Sequence, residues 1–181
     1  DIDAADAHWE RAVEYMRLAD QPAGHAVMLS NMALHYGMTG RYDESDAAFR
    51  RSSAVFREHA PGDPTHANVL RLYSGLQFRM RRPQEALATI RESIAILDRD
   101  RQSYAYFVAQ LNRAGFAFAA GDPAQAFDAI GEGLDVAFAA FGPDSDVTRR
   151  MYAVFARLLL FAGRDVDAAR LVDVDDSRWC D

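Results

Sequence analysis

Residues 31–49 read NMALHYGMTGRYDESDAAF, and their spacing predicts helix, tight turn, helix. Gly40 announces the turn. Small residues, Ala33 and Ser45, stand where two helix backbones would cross, and Leu29, Met32, Tyr36 and Phe49 recur as large apolar positions at helical intervals on either side.

The same arrangement returns down the chain. Taking the turn as anchor gives Gly40, Arg81, Gly121 and Gly163, at spacings of 41, 40 and 42 residues. Seven residues before each anchor stands Ala33, Ser74, Ala114 or Ala156, and five residues after it Ser45, Ala86, Ala126 or Ala168. Nine residues after it comes Phe49, Ile90, Ile130 or Val172, so small faces small at each crossing and a large apolar residue fills the space beside it. Ala5, Trp9, Ala12 and Val13 obey the rule for an anchor just before the chain starts. The expected organisation is therefore a single array. Residues 1–20 form the second helix of a truncated repeat, 25–64, 65–102, 103–146 and 147–176 form helix pairs, and 177–181 form a polar tail, about nine helices in all. Breakers at Gln21 to Gly24, Ala60 to Pro64, Asp98 to Ser103 and Phe141 to Asp144 separate the pairs. Asp63 before Pro64 and Asp122 before Pro123 are expected caps, and Asp122 with Gln125 has the spacing of a capping box. No stretch alternates strictly, so strands are not expected.

Half of the 181 residues are apolar, enough for a continuous core. No apolar run is long enough to span a membrane and no signal-peptide pattern opens the chain. It begins without Met, as a piece of a longer protein would. A single cysteine, Cys180, allows neither a disulfide framework nor a multi-Cys metal site within one chain, which fits a reducing, cytoplasmic setting. All 20 basic residues are Arg, a composition that points to a GC-rich, bacterial genome, and the net charge of −7 argues against broad binding to nucleic acid or anionic membrane.

At the quoted residues the chain resembles a tetratricopeptide repeat protein. Asn31, Ala33, Tyr36, Gly40, Tyr42, Ser45 and Phe49 are similar to that family's ladder of small, aromatic and glycine positions. The period near 41 resembles the long-repeat variety of kinesin light chains and many bacterial signalling proteins, where a turn such as Gly142-Pro143-Asp144 joins repeats. The second repeat departs from the pattern at Arg81 and Arg82, and Gln77 and Ala117 stand where Tyr36 stands in the first. The resemblance implies an all-α, right-handed solenoid of antiparallel helix pairs whose first helices line a concave groove, and a role in protein or peptide binding as a sensory or scaffolding part.

The first-helix segments 26–38, 67–79, 107–119 and 149–161 contain no Asp or Glu but carry Arg71, Arg79, Arg113, Arg149, Arg150 and Arg157, leaving −13 for everything else. Guanidinium pairs bidentately with carboxylate, so a groove of this composition suits an acidic peptide, partner helix or tail. The same arginines can instead cover apolar surface or pair with acids on neighbouring helices. Asn31 and Asn112 occupy equivalent positions where, as the resemblance implies, an amide faces the groove and bonds a peptide backbone; a local helix-to-helix bond is the competing role. Leu34, Met38, Phe78, Phe118, Leu160 and Phe161 are apolar candidates for the groove or the core. No catalytic signature is present. His8, His25, His35, His59 and His66 lack metal-ligand spacing and are expected on exposed helix or linker positions, and Gly131-Glu132-Gly133 lacks the lysine of a phosphate loop. No metal or cofactor is expected. Self-association through an end exposing Trp9 and Val13 is the alternative role, and binding of RNA by helical repeats a weaker one opposed by the acidity.

Overall fold

The computed structural model describes residues 2–161 and 163. These residues form eight helices: α1 (Ile2–Leu18), α2 (Pro22–Met38), α3 (Tyr42–His59), α4 (Pro64–Arg79), α5 (Pro83–Ile96), α6 (Ser103–Ala119), α7 (Pro123–Phe141) and α8 (Asp146–Phe161). No strand occurs among the described residues, in keeping with the all-α expectation. The ninth expected helix, Ala168, Val172 and the tail with Cys180 lie outside them.

Proline opens α2, α4, α5 and α7, where its missing N–H would have had no partner. Pro22 thus starts α2 rather than standing in a four-residue breaker, and the connection after α1 is correspondingly short. The Asp63 carboxylate accepts from the Thr65 amide at 2.7 Å, and that of Asp122 from the Gln125 amide at 3.0 Å. Gln125 donates its side-chain amide to the Asp122 carboxylate, whereas a capping box would aim it at the Asp122 backbone.

The turns show why the anchors repeat. At the ends of α2, α4 and α6 an amide reaches back five residues: Arg41 N–H to Tyr36 O at 2.9 Å, Arg82 N–H to Gln77 O at 3.0 Å, and Asp122 N–H to Ala117 O at 2.9 Å. This closure needs a left-handed residue just before the donor. Gly40, Arg81 and Gly121 supply it with φ of 81°, 62° and 82°, so Arg81 holds a glycine's conformation without being one. Asp20 does the same after α1, at φ 53°.

Within each helix pair the small positions meet as expected: Ala33, Ser45, Ser74, Ala86, Ala114 and Ala126 are fully buried, as are Phe49, Ile90 and Ile130 beside them. Ala156 is only half-buried. Gln77 and Ala117 are as inaccessible as Tyr36, although the Gln77 Oε1 has no hydrogen-bond partner among the described residues. Serines add a second tie across the pairs. The hydroxyls of Ser45, Ser52 and Ser93 donate to the carbonyls of Ala33, Ala26 and Ala67 at 2.6, 2.7 and 2.7 Å. Ser52 and Ser93 stand one repeat period apart.

The chain divides into two compact units, Asp1–Leu97 and Asp98–Asp181. In the first, α2 packs on α3 and α4 on α5, with α1 against α2 and the first helices α2 and α4 touching; in the second, α6 packs on α7, α7 on α8 and α6 on α8. Val13, Leu29, Met32, Phe49, Phe56 and Tyr73 make the first core, with Trp9 packed against it. Trp9 and Val13 are therefore not an exposed end: α1 turns them onto α2, and its exposed large apolar residues, among the described side chains, are Tyr15 and Leu18. Phe107, Ala114, Ile130, Met151 and Leu158 make the core of the second unit.

Candidate functional site

Superposing the repeats by their anchors yields a stripe that no repeat buries. Its positions are Val27, Asn31, Leu34 and Met38 in α2; Asn68, Leu72, Gly75 and Arg79 in α4; Val108, Asn112, Gly115 and Ala119 in α6; and Arg150, Val154 and Arg157 in α8. The intervals of four, three and four residues keep one face of a helix in line. In each unit two such stripes lie on adjacent first helices, α2 with α4 and α6 with α8.

The candidate residues divide by their place relative to this stripe. Asn31 and Asn112 are half-buried on it, and neither carboxamide makes a hydrogen bond among the described residues. Leu34 is half-buried against the core, while Met38 is 83% exposed. Arg150 and Arg157 are exposed and make no ion pair or hydrogen bond among the described residues. Arg79, also on the stripe, lies over the Tyr42 ring at 5.2 Å and donates to its hydroxyl at 3.1 Å. Arg71 and Phe78 sit beside the stripe; Arg71 donates to Asn68 Oδ1 at 2.8 Å and Phe78 is partly exposed. Phe118 packs half-buried on the second unit's core, Leu160 is exposed, and the Phe161 side chain lies outside the described residues. Arg149 pairs with Asp146.

Arg113 has a different fate. Its repeat equivalents are Met32 and Tyr73, both core residues, and its side chain is only 16% exposed. It donates to Glu132 and to Gln110 Oε1, both at 3.2 Å, while Gln110 and Tyr106 donate to the same Glu132 carboxylate at 2.6 and 3.3 Å. The repeat register already marks this position as inward-facing, a signal that counting charges along a helix passes over.

Other polar groups come together only through the fold. Asp6 of α1 meets His35 Nε2 at 2.9 Å and Arg41, and Arg41 also holds Glu44. The hydrogen bond from Arg41 keeps the Asp6 carboxyl below its ordinary range despite desolvation, with His35 adding to the effect. His66, expected on an exposed position, is 1% exposed and stacked on Phe56 at 5.1 Å, with neither ring nitrogen hydrogen-bonded among the described residues. Its place in the first turn of α4 points it inward, and burial lowers its pKa. In the second unit a cleft of about 750 Å³ is lined by Arg99, Arg101, Gln102, Tyr104 and Phe141. Among the described residues no three His, Cys, Asp or Glu side chains converge to hold a metal ion, and no helix is long and apolar enough to cross a membrane.

Comparison with known proteins agrees with this architecture. A family model, Tetratricopeptide repeat, matches residues 24–99. No curated protein matches the chain in sequence. Among solved structures, the nearly identical TPR-like repeats of a Podosopora anserina protein described as a kinesin light chain superpose with a TM-score of 0.81 at 14% identity, covering 97% of this chain and 85% of that one. BtubC (BKLC) from P. vanneervenii gives 0.75 at 18% identity over 94% and 70%, and MamA gives 0.66 at 15% over 98% and 91%. At these identities the likeness speaks to fold alone. Tetratricopeptide repeats are generally protein–protein interaction modules; residues 24–99 match that family's model, and the chain has the fold of kinesin-light-chain-like tetratricopeptide repeat proteins.

Proposed function

We propose that the unburied first-helix stripes are the recognition surface and that they take an extended, acidic segment of a protein partner. The observation that carries this reading is the composition of the stripes. They hold no carboxylate, they present carboxamides at Asn31 and Asn112 that are unpaired among the described residues, and their cations are Arg79, Arg150 and Arg157. An amide donates to and accepts from any peptide backbone, while guanidinium selects carboxylate, so backbone and charge are read by different residues. Gly75 and Gly115 support it further. They stand one period apart in the middle of α4 and α6, and a Cβ there would meet nothing within 4 Å. Glycine at mid-helix costs about 1 kcal/mol relative to alanine, and no internal contact requires it here; a partner backbone approaching closely would. Met38, Leu34 and Phe78 add apolar contact at the α2–α4 wall. The 41, 40 and 42 spacing supports reading the repeats as one array; arginine as the sole Lys/Arg-type cation supports a bacterial source, the single cysteine a reducing, cytoplasmic setting, and the likeness to tetratricopeptide repeats a scaffolding or sensory role.

Titration of a dye-labelled hexaglutamate peptide followed by fluorescence anisotropy tests the reading. Reversing Arg79, Arg150 and Arg157 to Glu is expected to weaken binding at least about tenfold and to flatten its salt dependence. Asn31→Ala and Asn112→Ala are each expected to weaken it several-fold. Unchanged affinity across this set overturns the proposal. Tyr15 and Leu18, each 69% exposed on α1, favour self-association as a second reading; concentration-dependent sedimentation abolished by Tyr15→Ser with Leu18→Ser is its expected signature.

A further inference from the structure

Along α1, Asp6, Glu10 and Glu14 follow one another at intervals of one helical turn. Like charges so placed weaken a helix on its own, and two of the three are answered. Asp6 has His35 and Arg41, and Glu14 accepts from Arg17 at 2.6 and 2.7 Å. Glu10, between them, makes no ion pair or hydrogen bond among the described residues.

Glu10 lines a cleft of about 380 Å³ in the first unit, at the low end of ligand-pocket sizes. Glu14 and Val13 of α1, Tyr36 of α2, and Glu44 and Arg51 of α3 share its wall. Tyr36 is 8% exposed, and its hydroxyl makes no hydrogen bond among the described residues. Burial raises the phenol's pKa, and the charges of Asp6, Glu10 and Glu44 push it the same way against Arg41, so the hydroxyl sits in the field of carboxylates that rim the cleft. The phenol's ring face is already covered by Arg41 at 4.3 Å, which leaves its oxygen as the group on offer. The hydroxyl of a buried tyrosine and an unanswered carboxylate thus share one small concavity, floored by apolar side chains.

We infer that this cleft is a separate binding site, distinct from the first-helix stripes, which receives a cationic side chain from a protein partner. A guanidinium suits it best. Its fork of N–H groups reaches acceptors on different helices at once, here Glu10, Glu44 and the Tyr36 oxygen, whereas an ammonium acts as a point charge. A bare metal ion does not suit it, because the carboxylates of the described residues do not gather into a metal-holding group. Arg51, the one basic residue on the lining, opposes the guest and sets an upper limit on affinity. The first unit would then read acidic and basic features of a partner on different surfaces, in line with acids concentrated outside the first helices.

The test uses the full chain and two capped, dye-labelled pentapeptides, Gly-Gly-Arg-Gly-Gly and its counterpart with citrulline, which keeps the shape and removes the charge. The arginine peptide is expected to bind in a salt-sensitive manner and the citrulline peptide at least about fivefold more weakly. Glu10→Gln is expected to weaken the arginine peptide about five- to tenfold, Tyr36→Phe about two- to threefold, and Arg51→Gln to strengthen it about two- to threefold. Amide resonances of Ala47 and Ala48 are expected to shift on titration. Equal binding of the two peptides, or wild-type affinity in Glu10→Gln, overturns the inference. Glu10 is exposed and Tyr36→Phe removes only a hydroxyl without a partner, so the native melting temperature is expected in both. Reversal of Arg79, Arg150 and Arg157 is expected to leave arginine-peptide binding unchanged, which separates this site from the acidic-segment reading.

Discussion

At the scale of single residues, backbone conformation and burial outweigh residue type. Arg81 occupies the left-handed turn position that Gly40 and Gly121 fill elsewhere, at a cost of about 1 kcal/mol for an L-residue. Arg81→Gly is therefore expected to raise stability by up to about 1 kcal/mol, read by urea denaturation; a loss would show that the arginine side chain contributes more than the turn costs. His66 illustrates burial. Burial holds its folded pKa below the ordinary 6.5, Arg57 acts in the same direction, and Glu92 and Asp63 act against both. Below about pH 6.5 the unfolded chain binds more protons at this residue than the folded one, so its contribution to stability is complete above that pH and is lost as pH falls through it. His66→Phe, which keeps a ring beside Phe56, is expected to reduce the slope of stability between about pH 6.5 and 5, with urea melts as the measure. The Asp63-Pro64 cap places His66 in a first turn, but only packing against Phe56 shows that it is buried while His59 is exposed.

At the scale of helices, the repeat is held by small contacts that recur with its period. Ser52 and Ser93 tie the second helix of a pair to a buried carbonyl of the first, and alanine at either position is expected to cost about 1 kcal/mol. Gly75 and Gly115 behave in the opposite sense. With open space beside each, alanine is expected to stabilise α4 or α6 by up to about 1 kcal/mol while weakening the acidic peptide, a trade between stability and binding that a purely structural role would not produce. Arg113 makes the contrasting case among the arginines of the first helices. Removing it leaves Gln110 Oε1 buried without its donor, while Glu132, 43% exposed, keeps Gln110 and Tyr106, so Arg113→Ala is expected to cost about 2 kcal/mol in a thermal melt, and hexaglutamate affinity is expected to stay at the wild-type level under conditions where the variant is folded. The helices themselves were legible in the sequence because proline, the left-handed turn residue and the small crossing positions act within a few residues of one another. The arginines were not, since six cations on acid-free segments look alike until the register sorts them into stripe, flank and core.

At the scale of the molecule, charge segregation has to be read face by face. A net charge of −7 averages over acid-free first-helix segments and acid-rich surroundings, and an average of that kind says little about what a groove of either sign attracts. The two compact units each have their own core. Residues 1–97 alone are accordingly expected to show a cooperative, helical thermal transition by circular dichroism, and a non-cooperative signal would place part of that core's stability elsewhere in the chain.

The sequence by itself determined the period, the all-helical class and the family resemblance, because each depends on short-range spacing that one chain displays in full. Gly40, Ala33, Ser45 and Phe49 announced the repeat, and their equivalents are packed alike through residue 130. What only the tertiary structure decided is which polar groups are spent and which are free. Asp6 is answered by an arginine 35 residues away, Arg113 by a glutamate on the next helix, and Asn31, Asn112 and Glu10 by nothing among the described residues. Such pairings depend on distances across helices, which the repeat register constrains but does not specify, and they separate the arginines that hold the fold together from those left to meet a partner.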